Sequence, residues 1–475
     1  MLERTPHLTA LDKVREAGGD ELVERLQFLD AQLGARVSAT PTGSLRAPQR
    51  HETFDYDVAI VGGGLSLLYA PLLAETGARV VVLDRSSIGA AHREWNAGAS
   101  ELEALVRAGL VTRDELESFI IARYRTGVCR WFGGGSYPVT GVLDCAVDAG
   151  ALLRHTRKLA EKRRVTLLDF TGLDAMAAGA FGVRLLLRSG EKTSELTARI
   201  VIDARGASSP DAGGDLVCPT VGGVMRGLSV PADTGDILVT TENVEDGKQH
   251  IWEGFPGRTG ETTVYLFHYS PRTAVRSGGL LALYERFFEL LPRYANGDGE
   301  LVRPTFGIIP GWSRLSPAPR ASLPRVALVG DAAARHSPLT YCGFGATLRS
   351  LPRVRDGITE ALSLGYATID CVVDDAPIHR ATGLLAWMMA QPSRNLRQNG
   401  QINALLDAAF STLHAAGNAV YASLLKDEMT IPELIRFLRQ TARARPQVYR
   451  DVLTTVGARK AGLWSVGLAR ELLRV

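Results

Sequence analysis

The chain has 475 residues, 45% hydrophobic and 22% charged, with a net charge of +3, which describes an α/β-type protein with more than one lobe and a large core. So even a charge balance, without any RNA- or DNA-binding signature, argues against a nucleic-acid partner. Five cysteines in unrelated contexts (Cys129, Cys145, Cys218, Cys342 and Cys371) form no C-x-x-C pair, so a reduced cytoplasmic protein without a metal site is expected.

The charged N-terminus has no apolar signal-like core. Leu11 to Leu33 places leucines, Val14, Val23 and Phe28 at near-helical spacing, and Ser38 to Pro48 is rich in Ser, Thr and Pro. Residues 1–52 therefore read as a helical extension and linker.

Asp57 to Asp84 reads as one βαβ unit: a buried strand Val58 to Val61, a tight turn Gly62-Gly63-Gly64, a helix Ser66 to Glu75 and a buried strand Arg79 to Leu83. Without side chains at Gly62 and Gly64, the backbone can approach a pyrophosphate at the positive end of the helix. Asp84 stands where an acid accepts hydrogen bonds from a ribose. Leu67 occupies the place of the pattern's third glycine. The most apolar window, Val58 to Ala74, is short and broken by three glycines and Pro71, so no membrane span is expected.

Ser100 and Asp114 look like caps of two short helices. Between the second strand and these helices, His92-Arg93-Glu94-Trp95-Asn96 reads either as an exposed loop with a buried Trp or as a cofactor contact. Tyr137 to Leu143 reads as a strand, Val147 to Lys162 as an amphipathic helix, and Val165 to Ile202 as strands with turns at Gly179 and Ser189-Gly190. Ala198 to Pro210, ARIVIDARGASSP, is a buried strand ending in an Asp and a glycine loop containing Gly206.

From Thr220 to Tyr269 several short strands follow without helices, as in an antiparallel sheet. Leu280 to Leu291 is a helix. PTFGIIPGW leads back toward the first lobe, and Arg325 to Gly330 is a buried strand before Asp331. Beyond Gly357 the chain is largely helical. The expected fold is thus α/β: a Rossmann-like dinucleotide-binding domain in two parts, 53–216 and 317–360, an antiparallel substrate domain, 217–316, and a helical C-terminal region, 361–475.

Three segments, GGGLSLLYA to VVLD, VIDARGASS and VALVGDAAARHSPLTYCGFG, together resemble the FAD-binding proteins that include aromatic hydroxylases, flavin halogenases, geranylgeranyl reductases and lycopene cyclases. The resemblance implies FAD, with Asp331 at the ribityl and phosphate region and Pro338 and Gly343 bordering the isoalloxazine. Arg205-Gly206 stands where aromatic hydroxylases usually have Asp-Gly, and the halogenase W-x-W-x-I-P element is absent. D-A-R-G, the run from Glu94 to Leu102, I-W-E-G-F-P at Ile251 to Pro256, P-L-T-Y-C-G-F-G and QPSRN at Gln391 to Asn395 are similar to lycopene cyclases of cyanobacteria and green sulfur bacteria. Tyr341-Cys342 departs from the Gly-Glu of related reductases.

That resemblance implies acid-initiated, non-redox ring closure of a linear carotenoid end group, assisted by reduced FAD, with NADPH as a transiently bound reductant. Glu253, flanked by Trp252 and Phe255, is the expected proton donor, because apolar surroundings raise a carboxyl pKa. Glu94 is the rival. His336, His268 and Cys342 receive no role. The cofactor-binding set is Gly62, Gly64, Asp84, Arg93, Gly206, Asp331, Pro338 and Gly343.

Two other classes remain open: a flavin oxidoreductase on a lipophilic or polyketide-like substrate, and a non-catalytic flavin-binding protein such as a carotenoid carrier. A polyene substrate implies peripheral contact with the inner face of the membrane. Leu463 to Val475, with Trp464 and Leu468 near helical spacing, offers an interfacial helix. The oligomeric state stays open.

Overall fold

Uninterrupted β-branched runs pair in parallel, and alternating runs pair antiparallel. That split organises the computed structural model, which describes residues 8–32, 45–91, 93–365, 378–390 and 400–473. Helix α1 (Ala10–Gln32) bends at Gly19, where φ is 76°. Its Val14, Val23 and Leu26 are buried in a cluster with residues of the later antiparallel sheet, so the N-terminal helix is docked.

The βαβ unit forms as read: β1 (Tyr56–Val61), α2 (Tyr69–Glu75) and β2 (Val80–Leu83). The helix is entered through a 3₁₀ turn, Leu65–Leu68. The next segment corrects the loop reading, since β3 (Glu94–Ala97) is a strand.

The two helices that follow, α3 (Ala99–Arg107) and α4 (Arg113–Phe119), begin earlier than their expected caps. Gly98 is the cap of α3, its N–H bonded by the Glu101 carboxylate at 2.9 Å. Thr112 caps α4 in a reciprocal box with Glu115. Ser100 and Asp114 therefore lie inside the first turns.

Four strands come next, β4 (Ile120–Arg123), β5 (Thr126–Arg130), β6 (Ser136–Thr140) and β7 (Cys145–Asp148), before α5 (Ala149–Lys162). Val147 belongs to β7 rather than to the helix. The reason is Asp148, whose carboxylate accepts the Ala151 N–H at 2.8 Å and fixes the helix start.

The remaining strands of the first half are β8 (Thr166–Leu168), β9 (Gly172–Ala178), β10 (Val183–Ser189) and β11 (Lys192–Asp203). Then follow β12 (Leu216–Arg226), β13 (Thr234–Val239), β14 (Ile251–Pro256), β15 (Glu261–Phe267), β16 (Ser270–Pro271), α6 (Gly279–Tyr294), β17 (Glu300–Gly311) and β18 (Val326–Leu328). Helix α7 (Gly343–Leu364) starts the helical part well before Gly357. It is followed by α8 (His379–Ala390), α9 (Gln401–Ala416), α10 (Asn418–Leu425), α11 (Ile431–Ala444), α12 (Val448–Val456) and α13 (Ala458–Leu472).

The first sheet has the order β8-β2-β1-β11-β10-β9, with β18 also on β11. Its parallel part aligns Val61 with both Leu83 and Asp203, and Asp203 with Leu328. Four strands far apart in sequence thus end at one edge, which is where open α/β sheets bind ligands.

The second sheet runs β16-β12-β15-β14-β13-β5-β6, with β17 on β12. It is antiparallel except for the β13–β5 pair, and it draws β5 and β6 from well before residue 217. A small sheet, β3-β7-β4, lies between the chain segments of the other two. Pro304 to Gly311 of PTFGIIPGW lie in β17, so the run belongs to the second sheet. Among the described residues no helix is long and apolar enough to cross a membrane.

Candidate functional site: a glycine-lined groove beside a chamber

The loops at the aligned strand ends enclose a groove of about 350 Å³ lined by Gly63, Gly64, Ser66, Asp84, Arg93, Gly206, Asp331 and Gly343. Gly62 has φ of +118°, and a Cβ there would sit 2.6 Å from the Ala204 carbonyl oxygen, so only glycine fits the turn. A Cβ on Gly64 would meet nothing within 4 Å. That open space lies along the groove.

Asp84 is fixed from both sides. One carboxylate oxygen accepts the Gly63 N–H at 2.7 Å; the other accepts the Ser86 N–H and hydroxyl at 2.7 and 2.6 Å. Leu67 is fully buried, packs beside Gly89 and does not line the groove, so the missing third glycine costs the site nothing.

Arg205 folds back onto Asp203, donating to its two oxygens at 3.0 and 2.7 Å, and Ser209 completes the buried clasp at 2.7 Å. The D-A-R-G form therefore holds the loop that presents Gly206 instead of reaching for a ligand. Pro338 is buried and lines neither the groove nor the chamber described next.

Tyr341, Gly343 and Phe344 line both the groove and a neighbouring chamber of about 120 Å³. One face of the second sheet forms its floor. Glu253 on β14 pairs with Tyr265 on β15, Phe267 with Thr220 on β12, and Thr220 with Gly307 on β17. Their side chains share a face by the two-residue period of the pleat. The opposite wall is Trp95 of β3, whose ring lies 4.8 Å from that of Phe344 at the start of α7.

Glu253 is the acid of this chamber. Burial pushes its carboxyl up to about 7, against the opposing effect of the Asn96 amide, which donates to it at 2.8 Å. The apolar surroundings are only partly those read from its neighbours in sequence. Trp252 points to the other face, where it stacks on Tyr294 at 4.5 Å. Tyr265, Phe267, Cys218 and Cys342 take its place in the chamber.

Glu94 also lines the chamber, but its buried carboxylate is engaged by Arg303 and lies 3.8 Å from Arg258. It ties β3 to β17. His268 is pushed down to about 3 by burial, and burial also lowers His336, so both rings are neutral. The Cys342 thiol is pushed up by burial, which removes thiolate character.

Sequence reading missed Arg25 of α1, which lines the groove, and Asn96 as the partner of Glu253. Strand alternation from Glu253 and Tyr265 carried the signal for the chamber floor. No local signal pointed to Arg25. QPSRN and Cys371 lie outside the described residues.

No protein-family model and no curated relative matches the chain. Solved structures of similar fold include a geranylgeranyl bacteriochlorophyll reductase-like protein from Thermoplasma acidophilum, 16% identical with a TM-score of 0.54 over 84% of this chain and 99% of that one. The p-nitrophenol 4-monooxygenase of Pseudomonas putida is 15% identical, TM-score 0.56, over 78% and 98%. Halogenase PltM, solved with phloroglucinol and FAD, is 14% identical, TM-score 0.53, over 88% and 93%. At these identities the likeness establishes the fold.

Proposed function

We propose that the chain binds FAD in the groove and is a flavin-dependent oxidoreductase acting on a lipophilic or polyketide-like substrate, with Glu253 as its proton donor. The observation that carries this reading is that Tyr341, Gly343 and Phe344 line both the groove and the chamber, whose Glu253 carboxyl is pushed up to about 7 by burial. The groove fits the cofactor: glycine backbone faces the phosphate path, a fixed carboxylate stands at the ribose position, and the N-terminus of α7 at Gly343 favours negative charge. The proteins of similar fold are named as a reductase, a monooxygenase and a halogenase, which supports the redox class.

When bound, FAD supplies hydride transfer or oxygen activation. The chain's own residues do the rest. Tyr265, Phe267, Trp95 and Phe344 exclude water and offer aromatic faces to a developing cation. Asn96 orients Glu253, which holds a proton at neutral pH and presents it to the substrate. A void of about 120 Å³ is close to the size that holds one benzene ring, so it takes a ring-sized end of a longer substrate.

A second reading, ring closure of a carotenoid end group in the manner of lycopene cyclases, is favoured by the same acid in the I-W-E-G-F-P run. The two differ in reductant use. An oxidoreductase consumes NADPH or dioxygen in proportion to product, whereas a cyclase needs only catalytic reductant. Expression in a lycopene-accumulating host with pigment chromatography, followed by reductant stoichiometry on the purified FAD-loaded chain, tests both. New cyclic pigment without stoichiometric reductant use would replace the first reading with the second.

A further inference from the structure

Helix α1 is held on the second lobe at both ends. The Ala10 N–H donates to the Glu285 carboxylate at 3.1 Å, and buried Asp30 accepts the Gly278 and Leu280 N–H groups at 2.7 and 2.6 Å, capping α6. Between these anchors, Arg25 lines the same groove as Gly63, Gly64, Asp84 and Arg93. Neither Arg25 nor Arg93 has a carboxylate partner among the described residues. Arg85 donates its guanidinium to the Ser208 hydroxyl at 3.2 Å, and both oxygens of Asp84 are already taken by Gly63 and Ser86.

Arg25 and Arg93 line the groove together with the carboxylates of Asp84 and Asp331, and an anion bound between the two guanidinium groups relieves their mutual repulsion. The Arg25 guanidinium is lowered, first by partial desolvation and then by the charges of Arg93 and Arg85, while Asp84 and Glu21 act in the opposite direction. A diphosphate is the anion that a glycine-lined dinucleotide groove offers.

We propose that Arg25, supplied from outside the dinucleotide-binding sheet by the docked helix α1, is a phosphate ligand that closes the groove over the diphosphate of FAD together with Arg93. The proposal rests on the FAD reading above. It makes α1 a clasp: a helix anchored to the substrate lobe holds the cofactor of the other lobe.

The test is FAD binding by the full chain with Arg25→Gln, Arg25→Lys and wild type, followed by quenching of flavin fluorescence, with riboflavin as a ligand that lacks the diphosphate. Losing one charge-assisted contact should weaken FAD binding by about tenfold in Arg25→Gln, with riboflavin binding unchanged and Arg25→Lys intermediate. The wild-type affinity should also fall more steeply with salt than that of Arg25→Gln. The Tm of the FAD-free variant should equal or exceed that of wild type. Unchanged FAD affinity in Arg25→Gln overturns the assignment alone, as does an equal loss of FAD and riboflavin. Wild type that takes up no FAD overturns the FAD reading as well.

Discussion

The groove and the chamber share Tyr341, Gly343 and Phe344 but are built by opposite means. The groove is made of backbone at the ends of four parallel strands, and its chemistry lies in what glycine leaves out. The chamber is made of side chains that alternate down antiparallel strands, and its chemistry lies in one carboxyl among aromatic rings. The difference teaches that a single added methyl group can close the first, whereas the second tolerates repacking so long as Glu253 stays enclosed.

The largest effect expected is at Gly64. Gly64→Val fills the open path and should abolish FAD uptake while leaving the fold intact, as read from visible absorbance after reconstitution and far-UV circular dichroism. Normal uptake would remove the distinction between the two regions.

Next in size, Glu253→Gln should lower turnover by roughly 10²–10⁴-fold with FAD affinity unchanged. A parallel loss of FAD would place Glu253 in the groove's chemistry instead.

The pH dependence sharpens the same point. Because the acid works when protonated and its pKa is raised to about 7, turnover should be full below that value and fall as pH rises through it. Folding linkage has the same sign. The folded state holds a proton that the unfolded state releases near the ordinary carboxyl value, so this group's stabilisation is present at low pH and lost as pH rises toward and through about 7. Infrared difference spectra of wild type against Glu253→Gln should show the carboxyl C=O band vanish over that range. Asn96→Ala removes the one hydrogen bond that opposes burial and should move this limb up by about half to one unit.

A smaller effect separates the two faces of β14. Trp252→Phe should lower stability by about 1–3 kcal/mol in urea unfolding, yet leave the pH limb in place, because Trp252 packs on Tyr294 away from the chamber. A moved limb would mean that the faces are coupled.

The smallest effect concerns α13, where Leu463 and Val466 are exposed and the Trp464 indole N–H donates to the Arg380 carbonyl at 2.8 Å. We propose it as the peripheral membrane contact that a lipophilic substrate calls for. Flotation with liposomes should be modestly stronger for the full chain than for one ending before Leu463. Equal flotation would leave α13 as a packing helix.

The βαβ part of the groove was legible in the sequence alone. Gly62, Gly64 and Asp84 are local to one βαβ unit, and the phosphate-binding geometry of such a unit depends on a turn, a helix start and an acid within a few dozen residues. The sequence also singled out Glu253 as a carboxyl among apolar groups, but one of the two aromatic neighbours that reading relied on, Trp252, lies elsewhere. Trp252 is adjacent in the chain yet on the opposite face, because neighbours in a strand point apart.

The tertiary structure alone decided which groups surround Glu253. Tyr265 and Phe267 of β15, Asn96 of β3 and Cys342 before α7 reach it from three separate segments, and tertiary packing rather than sequence spacing brings them together. The same holds for Arg25. Its helix is legible from leucine spacing, but its place over the groove depends on Asp30 and Glu285 contacts made more than two hundred residues away. Periodicity records which side of an element is buried. It does not record what that side meets, since the meeting is fixed by packing among elements whose order in space differs from their order in the chain.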